Sequence, residues 1–502
     1  MNRRKYTYYA LLALGLLLAL LIRTVPLTFS HFWDETVFLQ NAKVILGSRA
    51  NYDELRYRPP LLPLMYALGF SIWDNVYVAN LVQGLVSTLT VVFAFLFVRP
   101  VFGIGVAVFS GLLIAFAPYF VIASHQLLTD SPAMALMLAA MWLFDKRGAR
   151  YACLAGIVYA LAIQTRFTSL FLLLYFVLDT ASSPAKIRHL AMLLAAAGAA
   201  MVPYLAWAQW NLGSFYFPFA HARRIVTEWT APVPASFYWD ALLVIFPYSV
   251  WVFFGAGLLL PIVRCIFRNR AGVANPLQDN LAVAVSPYRR RLVLLLWGVA
   301  FLAYMLTIPH KEVRYLVPLG IPVMIISALG LVDMVRWCAR QAVPVKVAGL
   351  VLGVCIVVAE YAPSLHKLTG PWLDLSLAEP WVDRTEWEAV QIGRYLREVS
   401  SSGDTIYAAH NFPVFAYYSE RRTVSLLEIQ DTFEQAWRGV MNQPGFLVYY
   451  LPEGIKETHS VSPSFKPDRQ FIESRPEFRL LRAFPGALVY RFEFSPASTS
   501  AR

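Results

Sequence analysis

Three acidic residues in this sequence lie beside aromatic or apolar residues, where a carboxylate can serve as a general base. Asp34 and Glu35 follow the first apolar run in the segment His-Phe-Trp-Asp-Glu-Thr, and Asp130 lies in Leu-Leu-Thr-Asp-Ser-Pro between two later runs. Apolar neighbours are expected to desolvate Asp34, which raises a carboxyl pKa toward the range useful for base catalysis. The alternatives are a solvated loop acid at Asp34 and a helix N-cap at Asp130, because Asp before Ser-Pro suits a helix start.

Basic residues at the ends of other apolar runs predict an anionic substrate. The candidates are Arg58, Arg166, His310, Lys311 and Arg314. Phosphate is the natural ligand, because guanidinium groups give it bidentate, charge-assisted hydrogen bonds. A purely structural network of arginines and carboxylates is the alternative. The sequence contains no Walker loop, dinucleotide fingerprint, HExxH or GxSxG motif, so chemistry with a soluble nucleotide is not supported.

Composition indicates that a membrane must position these residues. The chain has 502 residues, of which 58% are hydrophobic, 15% aromatic and only 15% charged, and its mean hydropathy is +0.53. A water-soluble chain of this length cannot bury so much apolar surface, and disorder requires low hydrophobicity. We therefore expect a polytopic α-helical membrane protein. The net charge of +12 is assigned to cytoplasmic loops rather than to nucleic-acid binding.

Eleven apolar runs predict about eleven transmembrane helices. They cover residues 6–22, 76–98, 101–124, 131–144, 151–165, 167–178, 190–210, 241–263, 292–309, 315–332 and 347–359. Basic residues gather at alternate ends of these runs, which places the N-terminus in the cytoplasm and the candidate site on the outer face. The external loops are then residues 23–75 and 211–240. The segment 61–72 is read as interfacial or re-entrant, because Pro59-Pro60 opens it.

Ordinary composition near the C-terminus predicts a separate domain. Residues 1–362 form the expected transmembrane domain, and residues 363–502 a small extracytoplasmic α/β domain. Helices are expected over residues 386–399 and 428–441. Strands are expected over residues 405–409, 414–418, 423–427, 446–451 and 487–494. The four cysteines form no CxxC pair, so neither a disulfide framework nor a zinc site is indicated.

Four motifs resemble the C superfamily of membrane glycosyltransferases, which use polyprenyl-phosphate sugars and include the protein O-mannosyltransferases and the aminoarabinose transferases. They are Trp33-Asp34-Glu35, Arg58-Pro-Pro-Leu61, Leu128-Thr-Asp-Ser-Pro132 and His310-Lys-Glu-Val-Arg-Tyr315. The resemblance covers about residues 6–335. The residue before Pro-Pro is usually His in the protein mannosyltransferases and Lys in the aminoarabinose enzymes, whereas this chain has Arg58. The His310–Tyr315 motif is similar to a partly different branch, the lipid-linked mannosyltransferases, so the acceptor of neither group can be carried over.

This resemblance implies an inverting transfer of sugar from a polyprenyl-phosphate donor to an acceptor hydroxyl of a protein, lipid or glycan. Asp34 is the expected base, and Glu35 or Asp130 orients the acceptor or shares that role. The basic residues named above hold the departing lipid phosphate. No cofactor is expected, although a divalent metal ion stays open. Membrane lipids are expected partners and nucleic acid is not, and the predicted location is the cell (inner) membrane with an extracytoplasmic site.

Two other classes of function stay open at the level of sequence. A transporter or flippase of anionic lipid-linked substrates also needs ionisable residues in the membrane, although these usually lie near the midplane and often within inverted repeats. A non-catalytic scaffold that presents the C-terminal domain is the third reading.

Overall fold

The structure is a computed structural model that describes residues 3–24, 33–48, 58–146, 148–181, 186–228, 233–270, 281–340, 360, 384–426, 437, 439–451 and 469–493. The first fifteen helices are α1 Arg3–Thr24, α2 Trp33–Ile45, α3 Leu61–Phe70, α4 Val76–Phe102, α5 Ile104–Phe116, α6 Pro118–His125, α7 Asp130–Asp145, α8 Ala149–Thr165, α9 Leu172–Ala181, α10 Ile187–Leu212, α11 Phe217–Glu228, α12 Phe237–Ile245, α13 Tyr248–Arg270, α14 Leu281–Thr307 and α15 Gly320–Cys338. Short 3-10 helices, Phe167–Phe171 and Val313–Leu319, precede α9 and α15.

Five helical segments in the described residues are long and apolar enough to cross a membrane, and seven are when each bent pair counts as one span. The bent pairs are α5 with α6, at 58°, and α12 with the start of α13, at 94°. The prediction of eleven spans is not confirmed, because runs such as those of α7, α8 and α9 form helices shorter than a typical span. The predicted span over residues 347–359 and the domain boundary at 362 lie outside the described residues.

A buried arginine compensates the break between α5 and α6. Pro118 begins α6 and lacks the amide hydrogen that would continue the helix. The Arg23 guanidinium, at the end of α1, donates to the carbonyl oxygens of Ala115 at 2.9 Å and Ile114 at 3.2 Å. These carbonyls belong to the last turn of α5, where intrahelical partners are missing. Arg23 thereby satisfies backbone groups that lipid could not.

Glycine lets α13 and α15 cross at close range. A Cβ atom on Gly330 would lie 1.9 Å from the carbonyl oxygen of Phe253, and one on Gly257 would lie 2.3 Å from that of Ile326. Both distances are far below van der Waals contact, so the crossing requires the absence of a side chain at both positions. Small residues serve this purpose between membrane helices, because dispersion forces grow as backbones approach.

An ion network joins four elements at the end of the bundle opposite the candidate site. Arg290 of α14 lies 2.5 Å from Asp145 at the end of α7, and Lys186 pairs with Asp179 of α9 and with Asp145. Arg289 lies 3.3 Å from Asp179. Lys186, Arg289 and Arg290 are among the basic residues at the ends of apolar runs that the positive-inside rule assigns to the cytoplasm, and the structure shows that carboxylates pair with them. Such pairs hold helices in register only while both partners are present.

The C-terminal region contains a five-stranded sheet with helices packed against it. Its elements are α16 Arg384–Val399, β1 Thr405–Ala408, α17 Phe412–Ser419, β2 Arg422–Ser425, β3 Gly445–Tyr450, α18 Arg469–Glu473, β4 Phe478–Ala483 and β5 Ala487–Phe492. The strand order is β2-β1-β3-β5-β4. The pairs β2–β1 and β1–β3 are parallel, with Thr405 opposite both Arg422 and Gly445, whereas β3–β5 and β5–β4 are antiparallel.

Most strands in this region match the prediction, but residues 414–418 form a helix rather than a strand. Asn411, in the left-handed conformation, precedes α17, and Pro413 lies in its first turn. Proline at the first turn favours a helix start, and its fixed φ outweighs the β-propensity of the aromatic residues that follow. Strand β4 was not predicted. Residues 427–436, most of the second predicted helix, lie outside the described residues.

The sheet domain docks onto α2. Side chains on one face of the sheet, such as Ile406 and Phe446, pack with α16 and α17, and the buried Val37 of α2 belongs to the same apolar cluster. The rings of Trp33 and Phe412 meet edge to face at 4.7 Å between centroids. The helix that carries Asp34 and Glu35 is therefore shared between the bundle and the C-terminal domain.

Candidate active site

Asp34 lies in the first turn of α2 between two guanidinium groups. Its Oδ1 is 2.7 Å from an Nη atom of Arg58, and its Oδ2 is 2.5 Å from Nη2 of Arg314. All three side chains are less than one-fifth exposed. Arg58 precedes α3, and Arg314 lies in the 3-10 helix before α15. The fold thus brings together three of the four motifs that the sequence singled out.

The pKa of Asp34 is lowered, contrary to the sequence-based expectation. Burial by itself would raise the pKa of this carboxyl, but Arg58 and Arg314 stabilise the anion and outweigh burial. The apolar neighbours were visible in the sequence, whereas the second charge partner comes from a segment 280 residues away. In this state Asp34 is an ionised, tightly paired carboxylate.

Glu312 organises the His310–Arg314 turn, a role that the sequence analysis did not assign. Its carboxylate accepts hydrogen bonds from Nε2 of His310 at 2.8 Å, from the Tyr315 hydroxyl at 3.1 Å and from Nε of Arg314. Burial would raise the pKa of Glu312, but Arg314 and His310 hold it well below its usual range. Glu312 therefore fixes the guanidinium of Arg314 from one edge while Asp34 binds another. The sequence signal for this role was a glutamate placed between His310 and Arg314 in a short turn.

A second acid–arginine pair lies beside the first. Nη1 of Arg166 is 2.8 Å from Oδ1 of Asp130, and the Asp130 side chain is 2% exposed. Arg166 also donates to Thr129 Oγ1 at 3.0 Å and Thr168 Oγ1 at 3.1 Å. Asp130 is the first residue of α7, and neither of its carboxylate oxygens has a well-angled hydrogen bond. The alternative of a helix-capping side chain is therefore wrong.

Tyr315 connects the two pairs. Its ring lies 5.3 Å from the guanidinium carbon of Arg166 and 6.0 Å from that of Arg314. The charges of Arg314 and Glu312 also act on Asp130. Two carboxylates and three arginines from five separate segments thus form one electrostatic cluster, which we call the acid–arginine cluster: Asp34, Arg58, Asp130, Arg166 and Arg314.

Glu35 points away from this cluster. Its Oε1 accepts a 2.7 Å hydrogen bond from the backbone N–H of Leu127, in the loop that leads to Asp130, and the residue is 4% exposed. Gln83 of α4 holds the same loop by donating to the carbonyls of Gln126 at 2.7 Å and Leu128 at 3.0 Å. Both side chains position the acidic segments. Gln83 was not among the predicted site residues, and the sequence signal for it is a polar residue within an apolar run.

Lys311 also lies apart from the carboxylates of the cluster. Its ammonium donates to the backbone carbonyls of Val233 at 2.9 Å and Ile308 at 2.7 Å, and the residue is 8% exposed. The backbone amide of Val233 donates to Pro309, and that of His310 donates to Val226. Lys311 thus ties the loop between α11 and α12 to the turn that holds Glu312 and Arg314.

Within the described part of the chain, no three His, Cys, Asp or Glu residues gather where they could hold a metal ion. The cluster itself offers two carboxylates, each with a guanidinium beside it. A cation would compete there with arginine for the same oxygens. An anion, by contrast, would find three guanidinium groups within one site.

Two family models match the chain. The model of dolichyl-phosphate-mannose-protein mannosyltransferases matches residues 57–207, which include Arg58, Asp130 and Arg166. The model of the Alg9-like mannosyltransferase family matches residues 232–378, which include the His310–Arg314 turn. No curated protein sequence gives a significant match.

Solved structures share the fold over nearly the whole chain. ArnT from Cupriavidus metallidurans bound to undecaprenyl phosphate is similar with a TM-score of 0.62 at 16% identity, covering 95% of this chain and 97% of that one. The archaeal oligosaccharyltransferase AglB from Archaeoglobus fulgidus, in complex with an inhibitory peptide and a dolichol-phosphate, gives 0.58 at 12% identity, covering 98% and 75%. These matches confirm the resemblance found in the sequence: the chain is a glycosyltransferase with the fold of the C superfamily of membrane enzymes.

Proposed function

We propose that the chain is an inverting glycosyltransferase that moves a sugar from a polyprenyl monophosphate to an acceptor hydroxyl. The observation that carries the proposal is the position of Asp34, whose two carboxylate oxygens face Arg58 and Arg314. A base beside two phosphate-binding groups is what a single displacement at a phosphate-linked sugar needs. The lipid-phosphate complexes of ArnT and AglB, which share the fold, support a donor of this class.

Donor binding is expected to release the base. A phosphate group competes with Asp34 for the same guanidinium groups, and it offers them more oxygen atoms and more charge. Once Arg58 and Arg314 turn to the phosphate, the stabilising charge on the Asp34 anion falls and its pKa rises. Glu312 keeps Arg314 in place during the exchange, because its carboxylate binds Nε rather than the Nη atom that faces Asp34.

The transfer then proceeds in one step. Asp34 takes the proton of the acceptor hydroxyl as that oxygen forms a bond to the anomeric carbon. The bond between this carbon and the phosphate oxygen breaks on the opposite face, and the electron pair leaves with the polyprenyl phosphate. Arg58, Arg166 and Arg314 neutralise the charge that develops on the leaving group. Asp130, paired with Arg166, orients the acceptor or shares the base role.

The site is proposed to face the extracytoplasmic side of the cell (inner) membrane. Basic residues such as Arg150 and Arg336 lie at the other ends of the helices, where the positive-inside rule places the cytoplasm. A lipid-linked donor suits that location, because its isoprenoid tail occupies the hydrocarbon while its phosphate stays at headgroup level. No cofactor is assigned to the reaction, and the acceptor is a protein, lipid or glycan hydroxyl.

Replacing Asp34 by Asn tests the proposed function. With the purified full chain and a donor labelled in its sugar, D34N is expected to lose about 10²–10⁴-fold in kcat. Donor affinity is expected to be unchanged or higher, because Asp34 no longer competes for the arginines. The matched control is Asp240→Asn, at an exposed position of α12. A D34N enzyme that still transfers sugar at the wild-type rate would exclude Asp34 as the base.

A further inference from the structure

A polar cleft lies between the second half of α2 and the C-terminal domain. Its volume is about 650 Å³, and its walls come from three parts of the chain: the second half of α2 with the turn that follows, the turn before α4, and the amino-terminal ends of the parallel strands. Thr405 and Arg422 begin β1 and β2 and lie opposite each other in the sheet. The lining residues are Gln40, Lys43, Ser48, Asp74, Ser402, Gly403, Thr405, Tyr417, Glu420, Arg422 and Gln443.

The chemistry of these walls suits a ligand rich in hydroxyl groups. All the lining residues except Gly403 have a polar group in the side chain, and they mix donors with acceptors. The charges of the lining balance, because two basic residues, Lys43 and Arg422, are matched by two acidic ones, Asp74 and Glu420. Lys43 lies 3.5 Å from Asp74. An apolar ligand would leave these groups desolvated, and a phosphate would find no excess of positive charge. Sugar hydroxyls both donate and accept, so they match such a surface.

Gln40 and Thr405 are the most deeply buried residues of the lining, each 1% exposed. An amide that borders a cleft and is screened from bulk water can both donate hydrogen bonds to a polar ligand and accept them from it. On the opposite wall, the carbonyl oxygen of the Gln443 amide receives only a long hydrogen bond of 3.4 Å from Thr405.

The cleft shares α2 with the acid–arginine cluster. Gln40 follows Asp34 by six residues, which corresponds to about 9 Å along the helix axis. The two side chains lie on different faces of the helix, since six residues correspond to about 600° of rotation. A ligand held in the cleft therefore has to be larger than the group that reacts at Asp34.

We propose that this cleft binds a hydroxyl-rich glycan and that this glycan is part of the acceptor. The inference rests on the proposed function, because it uses the transfer at Asp34 to give the bound glycan its role. Gln40 and Gln443 are the residues assigned to glycan recognition. The glycan can be the head of a glycolipid or a chain without a lipid, since both present the same hydroxyl groups.

The test uses the full chain in lipid nanodiscs with a polyprenyl-phosphate donor labelled in its sugar. Acceptors are three fractions from membranes of cells that lack the protein: organic-extractable glycolipid, water-soluble glycan and protein. Donor cleavage by water, without acceptor, is measured separately. Gln40→Leu is expected to raise the KM for a glycan-bearing fraction about three- to tenfold, the loss expected for one or two hydrogen bonds. Donor cleavage by water is expected to stay at the wild-type rate.

Two further variants sharpen this test. The double variant Q40L/Q443L is expected to raise the acceptor KM further, and Gln470→Leu, an exposed amide outside the cleft, is expected to leave it unchanged. Gln40→Leu removes the amide but keeps a side chain of similar size at a buried position, so a purely structural role predicts a changed Tm with an unchanged acceptor KM. Two results would overturn the glycan cleft but leave the proposed function standing, provided that the wild-type enzyme cleaves the donor. One is that Q40L/Q443L transfers sugar to glycan as well as the wild type does. The other is that the wild type transfers sugar to the protein fraction alone. A wild-type chain that does not cleave the donor overturns both.

Discussion

Asp34 is paired with two arginines in the structure and is also the proposed base. Its two guanidinium partners keep the carboxylate ionised in the donor-free enzyme, and the same partners are the expected phosphate ligands. The acceptor should therefore meet an active base only after the donor has bound. Under the proposed mechanism, this order would protect the donor from premature base catalysis, and the lipid phosphate product would compete with the donor for the arginines.

The roles of Arg58 and Lys311 can be separated by substitution. Arg58→Gln removes a guanidinium that faces Asp34, and it is expected to raise the donor KM at least about tenfold, since charge-assisted hydrogen bonds contribute about 1.5–3 kcal/mol. Lys311→Gln loses hydrogen bonds to two backbone carbonyls and is expected to lower Tm with a smaller change in donor KM. Steady-state kinetics and thermal unfolding of both variants decide the point. Equal effects on donor KM would restore Lys311 as a phosphate ligand.

The low pKa values of Asp34 and Glu312 predict how stability changes with pH. For both groups the folded-state pKa lies below the unfolded value of about 4. Their contribution to stability is then fully present above that pH and is lost as the pH falls through the folded-state pKa. Tm measurements should show this contribution unchanged between about pH 5 and 7, and the Tm difference between wild type and D34N should shrink below about pH 4. A difference that shrinks already near pH 6 would mean that Asp34 is not held as an anion.

At the residue scale, the sequence predicted the members of the site better than their partners. The predicted acids and arginines do lie together: Asp34, Arg58, Asp130, Arg166 and Arg314. Their residue types and their order along the chain were sufficient to identify them. The direction of the Asp34 pKa was wrong, since it depends on an arginine 280 residues away. Glu312 was not predicted to have a role, because the sequence shows only an acid among basic residues and not the three hydrogen bonds that its carboxylate accepts.

Among the helices and strands, the predictions succeeded where the local sequence pattern decides the structure. The helix over residues 386–399 was predicted from its apolar spacing and is confirmed by α16 Arg384–Val399. The aromatic segment of α17 was predicted as a strand, although Pro413 favours a helix start. The prediction of eleven spans is not confirmed, because several apolar runs in the described residues form helices shorter than a typical span. Helices α7 and α8, for example, have 16 and 17 residues.

The crossing of α13 and α15 predicts a large effect from a single methyl group. Gly330→Ala places a Cβ against the carbonyl oxygen of Phe253, which cannot move without displacing α13. We expect a loss of about 1–3 kcal/mol in the free energy of unfolding, as for other overpacked cores. The measurement is thermal or chemical unfolding in detergent. Gly198→Ala in α10, where a Cβ would meet nothing within 4 Å, is the matched control and is expected to be neutral or slightly stabilising.

For the molecule as a whole, α2 links the C-terminal domain to the proposed reaction site. Trp33 packs on Phe412, and Val37 lies within the apolar cluster of the domain. On its other side, Glu35 holds the loop that leads to Asp130. The domain therefore has a structural influence on both acids, in addition to the proposed glycan cleft.

Weakening the contact between the domain and α2 should lower turnover without unfolding the bundle. Trp33→Leu removes the edge-to-face contact with Phe412, worth about 0.5–1.5 kcal/mol beyond area burial, and loosens the helix next to Asp34. We expect a fall in kcat, a smaller change in donor KM and faster proteolysis between the bundle and the domain. Tyr9→Leu, which loses an edge contact with Phe95 at the lipid-exposed helix α1, is the control. Unchanged kcat for Trp33→Leu would show that α2 keeps its position without the domain.

The sharing of α2 also limits how such enzymes can be recombined. A chimaera that joins the bundle of this chain to the C-terminal domain of another transferase would place unmatched side chains against α2, because Phe412 complements Trp33 and the surroundings of Val37 come from α16 and α17. Domain exchange between relatives should therefore succeed only when the transplanted domain brings its own version of α2. The acid at the start of that helix would travel with it, so the proposed acceptor cleft and the proposed base would be inherited as one unit.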